Sequence, residues 1–177
     1  MEFSYESKIP KERIAVLLGV KGNTKKAIER ELEIKITVNS KTGDIVLEGD
    51  DSLKLYAAQN IIKAIGRGFN PEIAMELLEE NNSFDIIEIT DYVGNSDKNL
   101  IRARARSIGT EGKARKYIEQ LTDTNVMIHG KTISIIGHYE NVDIARKAFE
   151  SLLNGSRHST VYAWLEKQRK KLKYKMY

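Results

Sequence analysis

Gly19-Val20-Lys21-Gly22-Asn23-Thr24-Lys25-Lys26-Ala27-Ile28-Glu29 decides the fold, because the chain writes it twice. Gly109-Thr110-Glu111-Gly112-Lys113-Ala114-Arg115-Lys116-Tyr117-Ile118-Glu119 follows at an offset of 90. Both glycines, the basic pairs Lys25/Arg115 and Lys26/Lys116, the isoleucine and the glutamate coincide. Working outward, Ile36 and Val38 match Val126 and Ile128 at the same offset, and Gly49 matches Gly137 at 88. Leu55, Ala58, Ile62, Ile65 and Gly68 match Val142, Ala145, Phe149, Leu152 and Gly155 at 87. The lost residues fall where turns belong, so the chain reads as two copies of one module of about 65–70 residues.

Each copy has the same pattern of elements. In the first, Ser4 to Ile9 alternates as a short strand ended by Pro10, and Lys11 to Leu18 is a short helix. After the Gly-x-x-Gly turn, Asn23 or Thr24 is placed to cap a helix running to about Leu32. Ile34, Ile36 and Val38 alternate with polar residues as a half-buried strand. A turn at Lys41-Thr42-Gly43-Asp44 leads to a strand over Ile45 to Leu47. Asp51 or Ser52 then caps a helix with Leu55, Ala58, Ile62 and Ile65 on one face. In the second copy, Phe84 to Val93 reads as the first strand and Leu100 to Ser107 as the first helix. A hairpin turns at Gly130-Lys131, and Val142 to Leu153 is the last helix. Pro71 to Glu80 reads as a linker helix with Pro in its first turn. Ser159 to about Lys173 reads as a terminal helix before a basic tail. The expected boundaries are 1–68 for the first module, 69–83 for an acidic linker, 84–155 for the second module and 156–177 for the basic helix and tail.

Composition narrows the class. The 177 residues are 41% apolar and 31% charged, as in a folded globular protein. No apolar run approaches the roughly 18 residues of a membrane helix. The first six residues lack the basic and apolar regions of a secretory signal, so a cytoplasmic protein is the default expectation. With no Cys, disulfides, thiolate metal sites and cysteine nucleophiles are excluded. His129, His138 and His158 show no metal-ligand spacing. The net charge of +4 is a remainder: residues 1–68 carry +2, residues 69–96 carry −7, residues 97–155 carry +3 and residues 156–177 carry +6.

A helix-to-helix turn with two glycines invites close approach by a ligand. The free amides and positive end of the following helix favour a phosphate. Lys21, Lys25 and Lys26 add charge there. A neighbouring aliphatic groove, expected from Ile14, Leu17, Leu18, Ile28 and Ile36, suits bases. Single-stranded nucleic acid satisfies both halves.

Strand, helix, Gly-x-x-Gly, helix, strand, strand, helix resembles the type I KH domain, here in tandem. The implied fold is α+β: two KH modules of order β-α-α-β-β-α, each a three-stranded antiparallel sheet on three helices, plus linker and C-terminal helices. Asp85-Ile86-Ile87-Glu88-Ile89, the second turn and Leu153-Asn154-Gly155-Ser156-Arg157-His158-Ser159-Thr160-Val161-Tyr162 resemble the archaeal two-KH ribosome-assembly proteins. These are counterparts of the eukaryotic partner of NOB one, also called Dim two. The likeness covers nearly the whole chain. It implies binding to the 3′ region of 16S rRNA during maturation and contact with the endonuclease that trims that end. It also implies a link to the alpha subunit of initiation factor two.

RNA contact is therefore expected at Gly19, Val20, Lys21, Gly22, Asn23, Lys25 and Lys26. In the second copy it is expected at Arg106, Gly109, Thr110, Glu111, Gly112, Lys113, Arg115 and Lys116. Glu111 is a departure, since a carboxylate beside a phosphate costs affinity unless Lys113, Arg115 and Lys116 offset it. No catalytic residue, metal or cofactor is expected. The acids of residues 72–97 read as a solvated helix face and an outer strand face more readily than as the magnesium site of a nuclease. His158 reads as a capping or packing residue, and Tyr162 and Trp164 as docking residues of the terminal helix. The rival readings are a KH regulator of other single-stranded RNA or DNA, and a metal-dependent nuclease.

Overall fold

The computed structural model describes residues 2–175, and the chain divides into two units, Met1–Glu80 and Asn81–Tyr177. In the first, β1 (Phe3–Lys8) leads through a tight helical turn at Lys11–Arg13 into α1 (Ile14–Leu18). The Gly-x-x-Gly turn connects to α2 (Asn23–Leu32), followed by β2 (Lys35–Val38), β3 (Asp44–Gly49), α3 (Ser52–Gly66) and α4 (Pro71–Met75). In the second, β4 (Asn82–Glu88) is followed by α5 (Thr90–Val93) and α6 (Asp97–Ile108). The second turn leads to α7 (Lys113–Thr122), β5 (Asn125–His129), β6 (Thr132–His138), α8 (Tyr139–Leu153) and α9 (His158–Lys175).

Each unit is built on a three-stranded antiparallel sheet, ordered β1-β3-β2 in one and β4-β6-β5 in the other. The alternation at Ile34, Ile36 and Val38 sets the register of β2, with Ile36 opposite Leu47 and Val38 opposite Ile45. Their counterparts Val126 and Ile128 lie opposite Ile135 and Ile133. The long helix after each hairpin covers the sheet. Leu55, Ala58, Ile62 and Ile65 of α3 are fully buried, as are Ala145 and Phe149 of α8. Asp51 caps α3 by accepting from the amides of Leu53 and Lys54.

The structure corrects several boundaries. The stretch 69–83, expected as an acidic linker helix, lies within the first unit up to Glu80. Phe69 and Ala74 are buried, and the Arg13 guanidinium donates to the carbonyls of Ile65 and Phe69 at 2.8 and 2.9 Å. α4 is one short helix that packs on α3 and continues as a tight turn over Glu76–Leu78, all within the first unit. The strand expected over Phe84 to Val93 ends at Glu88. Ile89 makes one more ladder-like bond, to the Lys131 carbonyl, and the chain then coils into α5. There Tyr92 and Val93 pack on the core, so burial outweighs the β-branched run of the sequence. The terminal helix is longer than expected and begins at His158. Val161 and Leu165 bury it in the core of the second unit, with Tyr162 and Trp164 packed alongside. The end of the basic tail, Met176 and Tyr177, lies outside the described residues.

Candidate nucleic-acid interface

The two turns have the same backbone. Gly19 and Gly109 take φ/ψ of 72/179° and 76/172°, a region open in practice only to glycine. Lys21 and Glu111 follow in the left-handed region, at 54/28° and 55/27°. Gly22 and Gly112 are left-handed at 74/14° and 74/13°. The paired glycines differ in role. A Cβ at Gly19 would stand 2.2 Å from Thr24 Oγ1, and one at Gly109 would stand 2.7 Å from both the Cβ and the amide of Ala114. At Gly22 and Gly112 a Cβ would meet only the far end of Lys26 or Lys116, at 3.9 and 3.7 Å. The first glycine of each turn lets two helices close on each other; the second leaves an open surface.

Neither Asn23 nor Thr24 caps α2, contrary to the sequence expectation. Gly22 and Gly112 occupy the cap positions of α2 and α7, and neither helix has a side-chain cap. Thr24 instead packs against Gly19. The N-terminal amides of both helices thus face outward without a capping side chain, which suits an anion.

The basic residues sort into two groups. Lys21, Lys26, Lys113 and Lys116 are exposed and form no ion pair among the described residues. Lys25 and Arg115 are engaged inside their own modules. Lys25 Nζ donates to Glu29 Oε1 at 3.1 Å and to the Ile36 carbonyl at 2.9 Å. Arg115 Nη1 donates to Glu119 Oε1 at 3.2 Å and to the Val126 carbonyl at 3.1 Å. The same glutamates accept the amides of Ile36 and Val126, each at 2.8 Å. The repeated Lys/Arg–Glu pair therefore fastens the helix after the turn to the second strand. Arg106 is engaged as well: it donates to the carbonyls of Leu152 at 2.5 Å and Ser156 at 2.6 Å. The sequence placed all three of these side chains toward RNA; the structure gives their charged ends backbone partners.

The groove also differs from expectation. Ile14, Leu17, Ile28 and Ile36 are core residues, and only Leu18 of the named set is part-exposed. Val20 is largely exposed at the tip of the first turn. Sequence reading missed a hollow beside the second turn. It is lined by Ala105, Arg106, Gly109, Thr110, Lys113, Ala114, His158 and Tyr162. Among the described residues no cluster of three His, Asp or Glu is arranged to hold a metal, and no helix is long and apolar enough to cross a membrane.

A three-stranded antiparallel sheet backed by helices, with two of those helices joined by a Gly-x-x-Gly turn, is the KH class of nucleic-acid-binding fold. The family model for the second KH domain of PNO1, described as a eukaryotic type KH-domain (KH-domain type I), matches residues 83–170. The chain is 45% identical over 170 residues to a KH domain-containing protein of Methanocaldococcus jannaschii, covering 94% of this chain and 74% of the relative. It is 32% identical over 165 residues to the RNA-binding protein pno1 of Dictyostelium discoideum, covering 89% of this chain and 68% of the relative. It also resembles a chain in the crystal structure of an a/eIF2alpha–aDim2p–rRNA complex from Pyrococcus horikoshii. That match has 42% identity and a TM-score of 0.89, over 96% of each chain. The chain belongs to the PNO1/Dim2 family of KH-domain proteins.

Proposed function

We propose that this chain is a tandem-KH factor of small-subunit ribosome biogenesis that binds single-stranded rRNA near the 3′ end of 16S rRNA and catalyses no reaction itself. The observation that carries this reading is the whole-chain likeness to a chain of the a/eIF2alpha–aDim2p–rRNA complex. Relatives named as RNA-binding and pre-rRNA-processing proteins support it. The first unit is a second KH domain on this reading, because it repeats the element order, sheet order and turn dihedrals of the second. RNA backbone runs over Gly19 to Lys26 and Gly109 to Lys116. The open N-termini of α2 and α7 and the exposed Lys21, Lys26, Lys113 and Lys116 are its anchors. Glu111 is exposed at the tip of the second turn, so Lys113 and Lys116 must offset its charge there. The partners are the alpha subunit of initiation factor two and the endonuclease that trims the rRNA 3′ end, and the site of action is the cytoplasm.

The test is competition at fixed salt between an oligoribonucleotide of the 16S 3′ end, a scrambled RNA and DNA of the same sequence. The rRNA oligonucleotide is expected to bind tightest, and Gly112→Asp to weaken it while the fold persists. Equal affinity for all three oligonucleotides sinks the rRNA assignment and leaves a general single-strand regulator.

A further inference from the structure

We infer that the hollow between the second turn and α9 is a nucleobase subsite, taking one base of the same strand whose phosphates cross the Gly109 to Gly112 turn. This rests on the RNA-binding reading above and adds to it a site outside the α7–β5 side of the module. Residues 114 and 117 lie on the α9 flank of α7, while Arg115 and Glu119 hold the opposite flank to β5. No β5 residue lines the hollow.

Its volume, 540 Å³, falls within the roughly 300–1,000 Å³ of small-ligand sites. It opens on Gly109 and Thr110, so a strand anchored on the turn passes its rim. Ala105, Ala114, Gly109 and Thr110 give it small walls, His158 and Tyr162 give it rings, and Arg106 and Lys113 complete the lining. Both rings are held in place before any ligand arrives. Tyr162 meets the Tyr117 ring edge-on at 4.6 Å and 81°. Tyr117 is itself tied to Glu166 of α9 by a 2.8 Å hydrogen bond. His158 Nε2 lies 2.8 Å from the Arg106 carbonyl. A carbonyl only accepts, so Nε2 carries the proton of that bond, and Nδ1 is the ring nitrogen left to meet a base edge. Lys113 supplies positive charge at the mouth. Flat, fixed aromatic surface beside a phosphate anchor is the combination that captures an unstacked base. In the first unit the helix after α3, α4, packs on α3 itself.

The experiment uses the full chain and the 16S 3′-end oligoribonucleotide, with 2-aminopurine placed at each position in turn. One position is expected to show strong quenching on binding. Ala105→Phe, at an exposed helix position, plugs the hollow without touching the core; Tyr162→Leu keeps bulk but removes the stacking face. Each should abolish the quenching at that position and weaken affinity about tenfold, with circular dichroism and melting unchanged for Ala105→Phe. Gly112→Asp serves as the reference. If Gly112→Asp weakens binding while Ala105→Phe and Tyr162→Leu leave quenching and affinity unchanged, the subsite is wrong and the RNA-binding reading stands. If Gly112→Asp is itself without effect, that reading fails first. Adenosine monophosphate alone is the last arm. Binding that survives Gly112→Asp and is lost in Ala105→Phe would assign the hollow to a free nucleotide and overturn the strand.

Discussion

Arg106 and His158 lock together through main-chain atoms. The Arg106 guanidinium closes on the carbonyls of Leu152 and Ser156, at the end of α8 and the approach to α9. His158, the first residue of α9, returns a bond to the Arg106 carbonyl. Arg106 stands three residues before Gly109, so this clasp fixes the helix that delivers the second turn. His158→Ala removes one hydrogen bond from it. The expected cost is about 1 kcal/mol, with faster amide exchange at Gly109 and Gly112 and no change at Gly19 and Gly22. Unchanged exchange at the second turn would show that the His158 bond does not steady it.

The two glycines of a turn should respond differently to substitution. Gly109→Ala puts a Cβ onto the Ala114 backbone in a conformation that costs a side chain about 1–3 kcal/mol even without a clash. It should lower the melting temperature markedly and weaken RNA binding only as a consequence. Gly112→Asp meets only the far end of the Lys116 side chain, in the left-handed region, which Asp tolerates better than most residues. It should leave the melt nearly intact while its carboxylate repels the phosphate. A destabilisation by Gly112→Asp as large as that by Gly109→Ala would contradict this division.

The Glu29 and Glu119 pins predict a stability effect shared by both modules. Glu119→Ala leaves the Val126 amide without its acceptor and the Arg115 guanidinium with the Val126 carbonyl alone, and should cost about 1–3 kcal/mol. Glu119→Gln keeps a neutral oxygen for Val126 and should cost less. Urea denaturation combined with amide exchange at Val126 separates the two; equal effects would mean that only the charge matters. Glu29→Ala should repeat the pattern at Ile36.

Much of this architecture was legible because repetition and side-chain period are sequence properties. The offset of 90 between Gly19 and Gly109 aligned the modules, and the alternation at Ile34, Ile36 and Val38 placed β2 and, by the repeat, β5. The side-chain geometry of the site was less legible. A basic residue in sequence carries no mark of whether its charge ends in solvent or on a carbonyl. Lys25 and Lys26 are neighbours, yet one is tied to Glu29 and Ile36 and the other is exposed. The repeated Glu29/Glu119, four residues after Lys25/Arg115, was the available signal, since that spacing puts opposite charges on one helix face. The role of Arg106 depends on residues about fifty positions away, which no local pattern encodes.

The Tyr117–Glu166 bond predicts a loss of α9 anchoring at high pH. Its hydrogen bond to Glu166, then burial, raises the Tyr117 phenol above its ordinary value. A group whose folded pKa lies above its unfolded value near 10 stabilises fully below that pH. The contribution is lost as pH rises through the folded value. Tyrosinate absorbance should show a late-titrating component that Tyr117→Phe removes. Those of Tyr92 and Tyr162, raised first by burial, should remain. An identical titration in Tyr117→Phe would show that Glu166 exerts no hold.

The sorting of the basic residues predicts which of them salt will reveal. Each phosphate contact to single-stranded RNA contributes about 0.7 to the slope of log affinity against log salt. Lys113 is exposed on the first turn of α7, beside the open amides. Lys113→Ala should therefore flatten the slope by about one such contact and leave the melting temperature near its original value. Arg115, two residues on, has its guanidinium on Glu119 and Val126. Arg115→Ala should lower the melting temperature and leave the slope alone, because a charge already held by a carboxylate and a carbonyl releases no RNA counterion. Affinities measured over a salt series for both variants decide the matter. Equal flattening would mean that Arg115 exchanges Glu119 for phosphate when RNA binds, and that the pin between α7 and β5 opens on binding.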